Sequence, residues 1–135
     1  MATQTESLMA PGKAVLLVED EVLLCWILEE ALRDDGYAVH IATTGNGGLE
    51  ALESGRKFSA LITNIRLKDG PDGWTLARRA REIDPAIPVL YVSGDSASQH
   101  KDMGVEGSLM LSKPFQPEAL HQKLAAILED GTAPA

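Results

Sequence analysis

Four places in this 135-residue chain carry side chains able to do chemistry. Glu19, Asp20 and Glu21 are three acids in a row, Asn64 follows the apolar stretch SALIT, Ser93 precedes Gly94, and Lys113 precedes Pro114. Clustered carboxylates favour a hard divalent cation such as Mg²⁺, which takes one or two carboxylates and keeps several waters. A lysine and a hydroxyl suit the oxygens of a phosphoryl group. Gathered into one cleft, the set makes a phosphoryl or anion site. Each member alone has a plainer reading. Acids after a buried strand cap the next helix or favour its N-terminal dipole. Ser93-Gly94 is a common turn pair, Asn64 suits a turn or cap, and most lysines are solvated. The specific signal is that all four fall just after successive apolar runs.

Those runs alternate with helical patterns. AVLLV, 14–18, is short and unbroken, as expected of a strand buried on both faces. Leu24, Ile27, Leu28, Ala31 and Leu32 then fall at helical spacing, with Gly36 placed to cap the helix. Residues 37–42 read as the second strand. Residues 44–54 read as a helix weakened by Gly45, Gly47 and Gly48. Strands are expected at 59–63, 87–92 and 107–111, and helices at 74–83 and, short and polar, at 96–103. The last helix opens with Pro117 in its first turn. Five strands alternating with five helices predict an α/β domain with a doubly wound parallel sheet. Ligands of such sheets sit outside the carboxyl ends of the strands, where the strand order reverses. That is where the four candidates fall.

Composition closes several alternatives. The size suits one domain, at 13–130, with polar tails at 1–12 and 131–135. One cysteine, Cys25, leaves no internal disulfide and argues against structural zinc. A formal charge of −8 argues against gripping nucleic acid or an anionic membrane. The apolar runs are too short to span a bilayer, and the first residues lack the basic start and apolar core of a secretory signal. A cytoplasmic domain is expected.

The pair Glu19-Asp20, Ser93 and Lys113-Pro114-Phe115 resembles the receiver domain of two-component response regulators, from residue 14 to about 129. The spacings from Asp20 to Asn64 and from Asn64 to Lys113 are close to those of receivers. Asn64-Ile65-Arg66-Leu67 and Asp72-Gly73 resemble the phosphorylation-site loop. The resemblance implies a flavodoxin-like sheet in the order 2-1-3-4-5 and a phosphorelay module. A histidine kinase would pass a phosphoryl group to an aspartate ending the third strand. Glu19 and Asp20 would form the acidic pocket, and Ser93 and Lys113 would bind phosphoryl oxygens. An aromatic on the fifth strand would help reshape a surface that other signalling proteins read. No residue is expected to be catalytic.

The chain departs from that pattern at the central position. Asn64 stands where the aspartate is expected, and an amide has neither the charge nor the free lone pair to form an acyl phosphate. The resemblance then implies at most a weak Mg²⁺ site from Asp20, Asn64 and the backbone carbonyl of Arg66. Lys113 is left to pair with Asp20. The amide is either native, making a pseudo-receiver, or a substitution locking an ordinary one; the first is preferred. Met110 occupies the switch-aromatic position, and Lys68 and Gly70-Pro71 change the loop.

Other features are expected to be structural. Cys25 packs, and His40, His100 and His121 are too scattered to share a metal. Gly45-Asn46-Gly47-Gly48 lacks nucleotide-loop spacing, and Arg78, Arg79 and Arg81 form a solvated face. Trp74 either lies exposed at the rim or covers the third helix. A haloacid-dehalogenase-like phosphohydrolase is the alternative function. It would need Asp-x-Asp where the chain reads Glu19-Asp20-Glu21, and a later acidic pair where only Glu118 and then Glu129-Asp130 follow. With no helix-turn-helix after the last helix, a stand-alone receiver is expected.

Overall fold

A computed structural model describes residues 13–128, so the stretches read as tails, with Glu129 and Asp130, lie outside the described residues. The elements run β1 (Ala14–Val18), α1 (Val22–Asp34), β2 (Ala38–Ala42), α2 (Gly45–Glu53), β3 (Ala60–Asn64) and α3 (Gly73–Ile83). Then come β4 (Val89–Ser93), a 3₁₀ turn (Ala97–Gln99) leading into α4 (His100–Met103), β5 (Leu109–Ser112) and α5 (Pro117–Leu128). All neighbouring strands are parallel, in the order β2-β1-β3-β4-β5. The expected doubly wound α/β sheet is the one observed.

The sheet is sandwiched because alternate strand residues face opposite ways. Val15, Leu17, Ala60, Ile62, Leu90, Val92 and Leu111 meet Cys25, Leu28 and Leu32 of α1 and Leu120, Leu124 and Ile127 of α5. Leu16, Val18, Leu61, Val89 and Tyr91 meet Ala51 and Leu52 of α2 and Trp74, Leu76 and Ala77 of α3. Central strands buried on both faces need continuous apolar runs, which is why β1, β3 and β4 read so plainly.

Several expected boundaries move. β3 takes in Asn64, which pairs in register with Val92. β4 begins at Val89 because Pro88 has no N–H for the ladder, although its carbonyl accepts Leu61 N–H at 2.9 Å. β5 begins at Leu109, after Gly107 turns the chain at φ +78°. Trp74 is buried, with its ring 4.7 Å from that of Tyr91, so of its two readings the covered one is correct. The arginines of α3 are more than a solvated face. Arg81 donates to the Ile87 carbonyl at 2.7 Å, and Arg79 pairs with Glu53 and Glu82.

The glycines at the start of α2 have a packing reason. Gly45 N–H and Asn46 N–H donate to the carbonyls of Lys68 and Asp69, docking the long β3–α3 loop on α2. A Cβ at Gly45 would collide with the Pro71 carbonyl. Gly70, at φ +127°, turns that loop where other residues are strained.

Candidate functional site

β1 and β3 are neighbours, while β2 lies beyond β1, so the order reverses beside β1 and opens a crevice at the strands' carboxyl ends. Glu19 and Asp20 leave the end of β1 there, and Asn64 ends β3. Glu19 is fully buried, Asp20 is half-buried and Asn64 is 8% exposed. Two acids and an amide thus converge from two adjacent strands.

The Asn64 amide is held in one orientation. Its Oδ1 accepts Ile65 N–H at 3.0 Å. Its Nδ2 turns inward and donates to the Arg66 carbonyl at 3.0 Å, Asp20 Oδ1 at 3.3 Å and Glu19 Oε2 at 3.4 Å. The acceptors expected to face a cation therefore face an amide nitrogen.

Glu19 carries the electrostatic strain. Its Oε2 accepts Glu21 N–H at 3.0 Å, but its buried Oε1 has no hydrogen-bond partner. Burial pushes its carboxyl above the ordinary range, against the pull of that N–H and of Lys113. The folded chain therefore holds the Glu19 proton to higher pH than the unfolded chain. The stability this confers is complete below the ordinary carboxyl range and is lost as pH rises through the raised value. Glu19→Gln, neutral throughout, is expected to raise Tm at neutral pH by a few degrees and to flatten the fall in Tm that sets in above the ordinary carboxyl range. Thermal melts across pH check this; an unchanged slope contradicts it.

Lys113 reaches this group from just past the end of β5, where it precedes a cis peptide to Pro114. Its partners differ from the expectation. Nζ donates to Glu21 Oε1 at 3.0 Å and stands 4.0 Å from Glu19 Oε1, instead of pairing with Asp20. Glu21 went unassigned in the sequence, because three consecutive acids give no sign of which one turns to the lysine. Ser93, 2% exposed, ends β4, and its Oγ accepts Ser96 N–H at 2.9 Å and Asp95 N–H at 3.3 Å. Its hydroxyl oxygen thus ties the β4–α4 loop. Arg66 and Asp95 form an exposed ion pair, at 2.9 Å, between the two loops. Met110 lies half-buried beside Tyr91 on the neighbouring strand.

Does this set fit a divalent cation? Glu19 Oε1 is an orphaned buried acceptor, which favours one. Against it, Asn64 contributes a donor where a ligand oxygen is needed. Among the described residues no three His, Cys, Asp or Glu side chains are grouped to hold a metal. As built, the pocket does not fit the ion without turning the Asn64 amide over, which would break the bond to Ile65 N–H.

A doubly wound sheet with acids after β1, a hydroxyl after β4 and a lysine after β5 defines a class of phosphorelay-type domains. The chain belongs to the response regulator receiver domain family of two-component signalling, whose model matches residues 15–125. It is 34% identical over 118 residues to the response regulator receiver protein CpdR of Brucella abortus, covering 86% of this chain and 97% of that protein. To the transcriptional regulatory protein BasR of Escherichia coli it is 32% identical, covering 84% of this chain and 51% of that one. It spans about half the length of the transcriptional regulators it matches. A crystal structure of a response regulator receiver protein from Sinorhizobium medicae shares 38% identity at a TM-score of 0.84, covering 94% of this chain and 98% of that one. The receiver domain of a Pseudomonas aeruginosa sensor histidine kinase shares the fold (TM-score 0.73, 23% identity, 87% and 98% covered), and that structure has a magnesium ion in its active site cleft.

Proposed function

We propose that this receiver signals through protein contacts alone, and that with Asn64 in place it takes up no phosphoryl group. The observation that carries the reading is the orientation of Asn64. Its oxygen is spent on Ile65 N–H, and its nitrogen faces the acids as a donor. The acceptor position at the end of β3 presents no nucleophile, and the amide hydrogens partly satisfy the neighbouring carboxylates. Glu19 and Asp20 hold the amide from one side, Lys113 is engaged by Glu21 and Ser93 by its own loop, and none of the four acts as a catalyst. Its partners are a histidine kinase or another signalling protein in the cytoplasm. The charge of −8 argues against direct contact with nucleic acid. Among the described residues no helix is long and apolar enough to cross a membrane.

Incubation with acetyl phosphate and Mg²⁺, followed by intact-mass measurement, tests the reading. The mass is expected to stay unchanged, and a gain of one phosphoryl group overturns it.

Mg²⁺ itself gives a second measure. Asn64→Asp replaces the inward donor by an oxygen and adds a third carboxylate, so the Mg²⁺ affinity is expected to rise by at least roughly tenfold. Titration followed by Trp74 or Trp26 fluorescence reads this, and equal affinities of the two chains count against it.

A further inference from the structure

The 3₁₀ turn and α4 bury none of their side chains, so apolar packing does little to hold this segment on the sheet. A closed set of contacts does so instead. The phenolic oxygen of Tyr91, a fully buried residue of β4, accepts Val105 N–H at 3.1 Å. The Val105 carbonyl accepts the Ser108 hydroxyl at 2.6 Å. Ser108 Oγ lies 2.9 Å from His100 Nε2. Because that hydroxyl hydrogen is committed to Val105, Nε2 is the donor in this contact. The His100 ring then returns edge-on to Tyr91, with centroids 5.6 Å apart and planes at 69°.

Neighbours keep these groups in register. Trp74 packs against Tyr91 from α3 and holds the phenol in place. A Cβ at Gly104 would run into the His100 ring, so a glycine leaves that ring its room. Met110, paired with Tyr91 across β4 and β5, is flexible and brings no strong donor or acceptor to compete for Val105 N–H.

We infer that Tyr91, Val105, Ser108 and His100 form a clamp fixing α4 and its following loop to β4 and β5. The shape of the α4–β5 face then depends on Tyr91, alongside the Ser93 tie to the β4–α4 loop.

Tyr91→Phe keeps the ring packing and removes only the hydroxyl, with its bonds to Val105 N–H and Ser108. In native-state hydrogen exchange, the Val105 amide is expected to exchange about tenfold faster, the order expected for loss of one buried hydrogen bond. Residues 97–108 should loosen with it, while β1 and β3 stay unchanged. Ser108→Ala cuts the set on its other side with Tyr91 intact and should loosen the same segment; it decides the matter if Tyr91→Phe fails to fold. Unchanged exchange over 97–108 in a folded variant, or a rise spread through β1 and β3, overturns the clamp. This readout needs no phosphoryl donor, so it separates from the mass measurement on Asn64.

Discussion

Asn64→Asp is expected to turn an inert chain into one that gains a single phosphoryl group from acetyl phosphate. The substitution changes one atom at the reacting position but alters three properties. It supplies a carboxylate oxygen that can attack phosphorus, forming an acyl phosphate as acetate departs. It removes the inward donor that now engages Asp20 Oδ1 and the Arg66 carbonyl. It also brings a third carboxylate to the fully buried Glu19 and half-buried Asp20, raising local repulsion until a cation is present. The rate should therefore rise by at least roughly a thousandfold, the order seen when a covalent nucleophile is removed or restored. Intact mass over time with and without Mg²⁺ reads both the gain and its dependence on cation. A variant that stays unmodified, while binding Mg²⁺ and melting cooperatively, would show that the obstacle lies elsewhere, for instance in the engagement of Lys113 by Glu21.

How much of this was legible beforehand depends on which atoms carry each contact. Asp20, Asn64, Ser93 and Lys113 could be assembled from the sequence because every strand of a parallel sheet ends on the same edge. Once the apolar runs are placed, the residues after them are placed too. Side-chain direction was not legible. Glu19, Asp20 and Glu21 are adjacent acids, and only the backbone path after β1 decides that Glu21 meets Lys113 while Asp20 meets Asn64. Contacts made to backbone were hidden as well. Tyr91 sits in a run, VLYVS, that reads as a buried strand, and its partner is the N–H of Val105, which has no signature in residue type. The same holds for Gly45 and Gly70. As letters they are helix-weakening or turn residues, yet both are needed where the β3–α3 loop backbone docks on α2.

The same reasoning gives Gly73→Ala as the second large effect. Gly73 opens α3, and its N–H donates to the Ile65 carbonyl at 2.7 Å, drawing the start of the helix against the end of β3. A Cβ there would collide with the backbone carbonyl of Asn64 and stand 2.9 Å from Ile65 Cα. Both neighbours are buried backbone at the end of β3, so neither yields cheaply. Alanine gains helix propensity over glycine, about 1 kcal/mol in a helix interior and less at a first position. Forced overpacking costs typically 1–3 kcal/mol and more against rigid backbone. A net loss of about 2–3 kcal/mol is expected, lowering Tm by roughly 10 °C for a domain of this size. Gly94→Ala is the control. There the added Cβ meets only Lys113 Cβ, at 4.0 Å, so its effect should stay within about 0.5 kcal/mol. Combined with Asn64→Asp, Gly73→Ala should also slow phosphorylation, because the clash displaces the residue that carries the nucleophile, whereas Gly94→Ala should leave the rate nearly unchanged. Equal melting temperatures for the two alanine variants would mean that the end of β3 is more pliable than its burial implies.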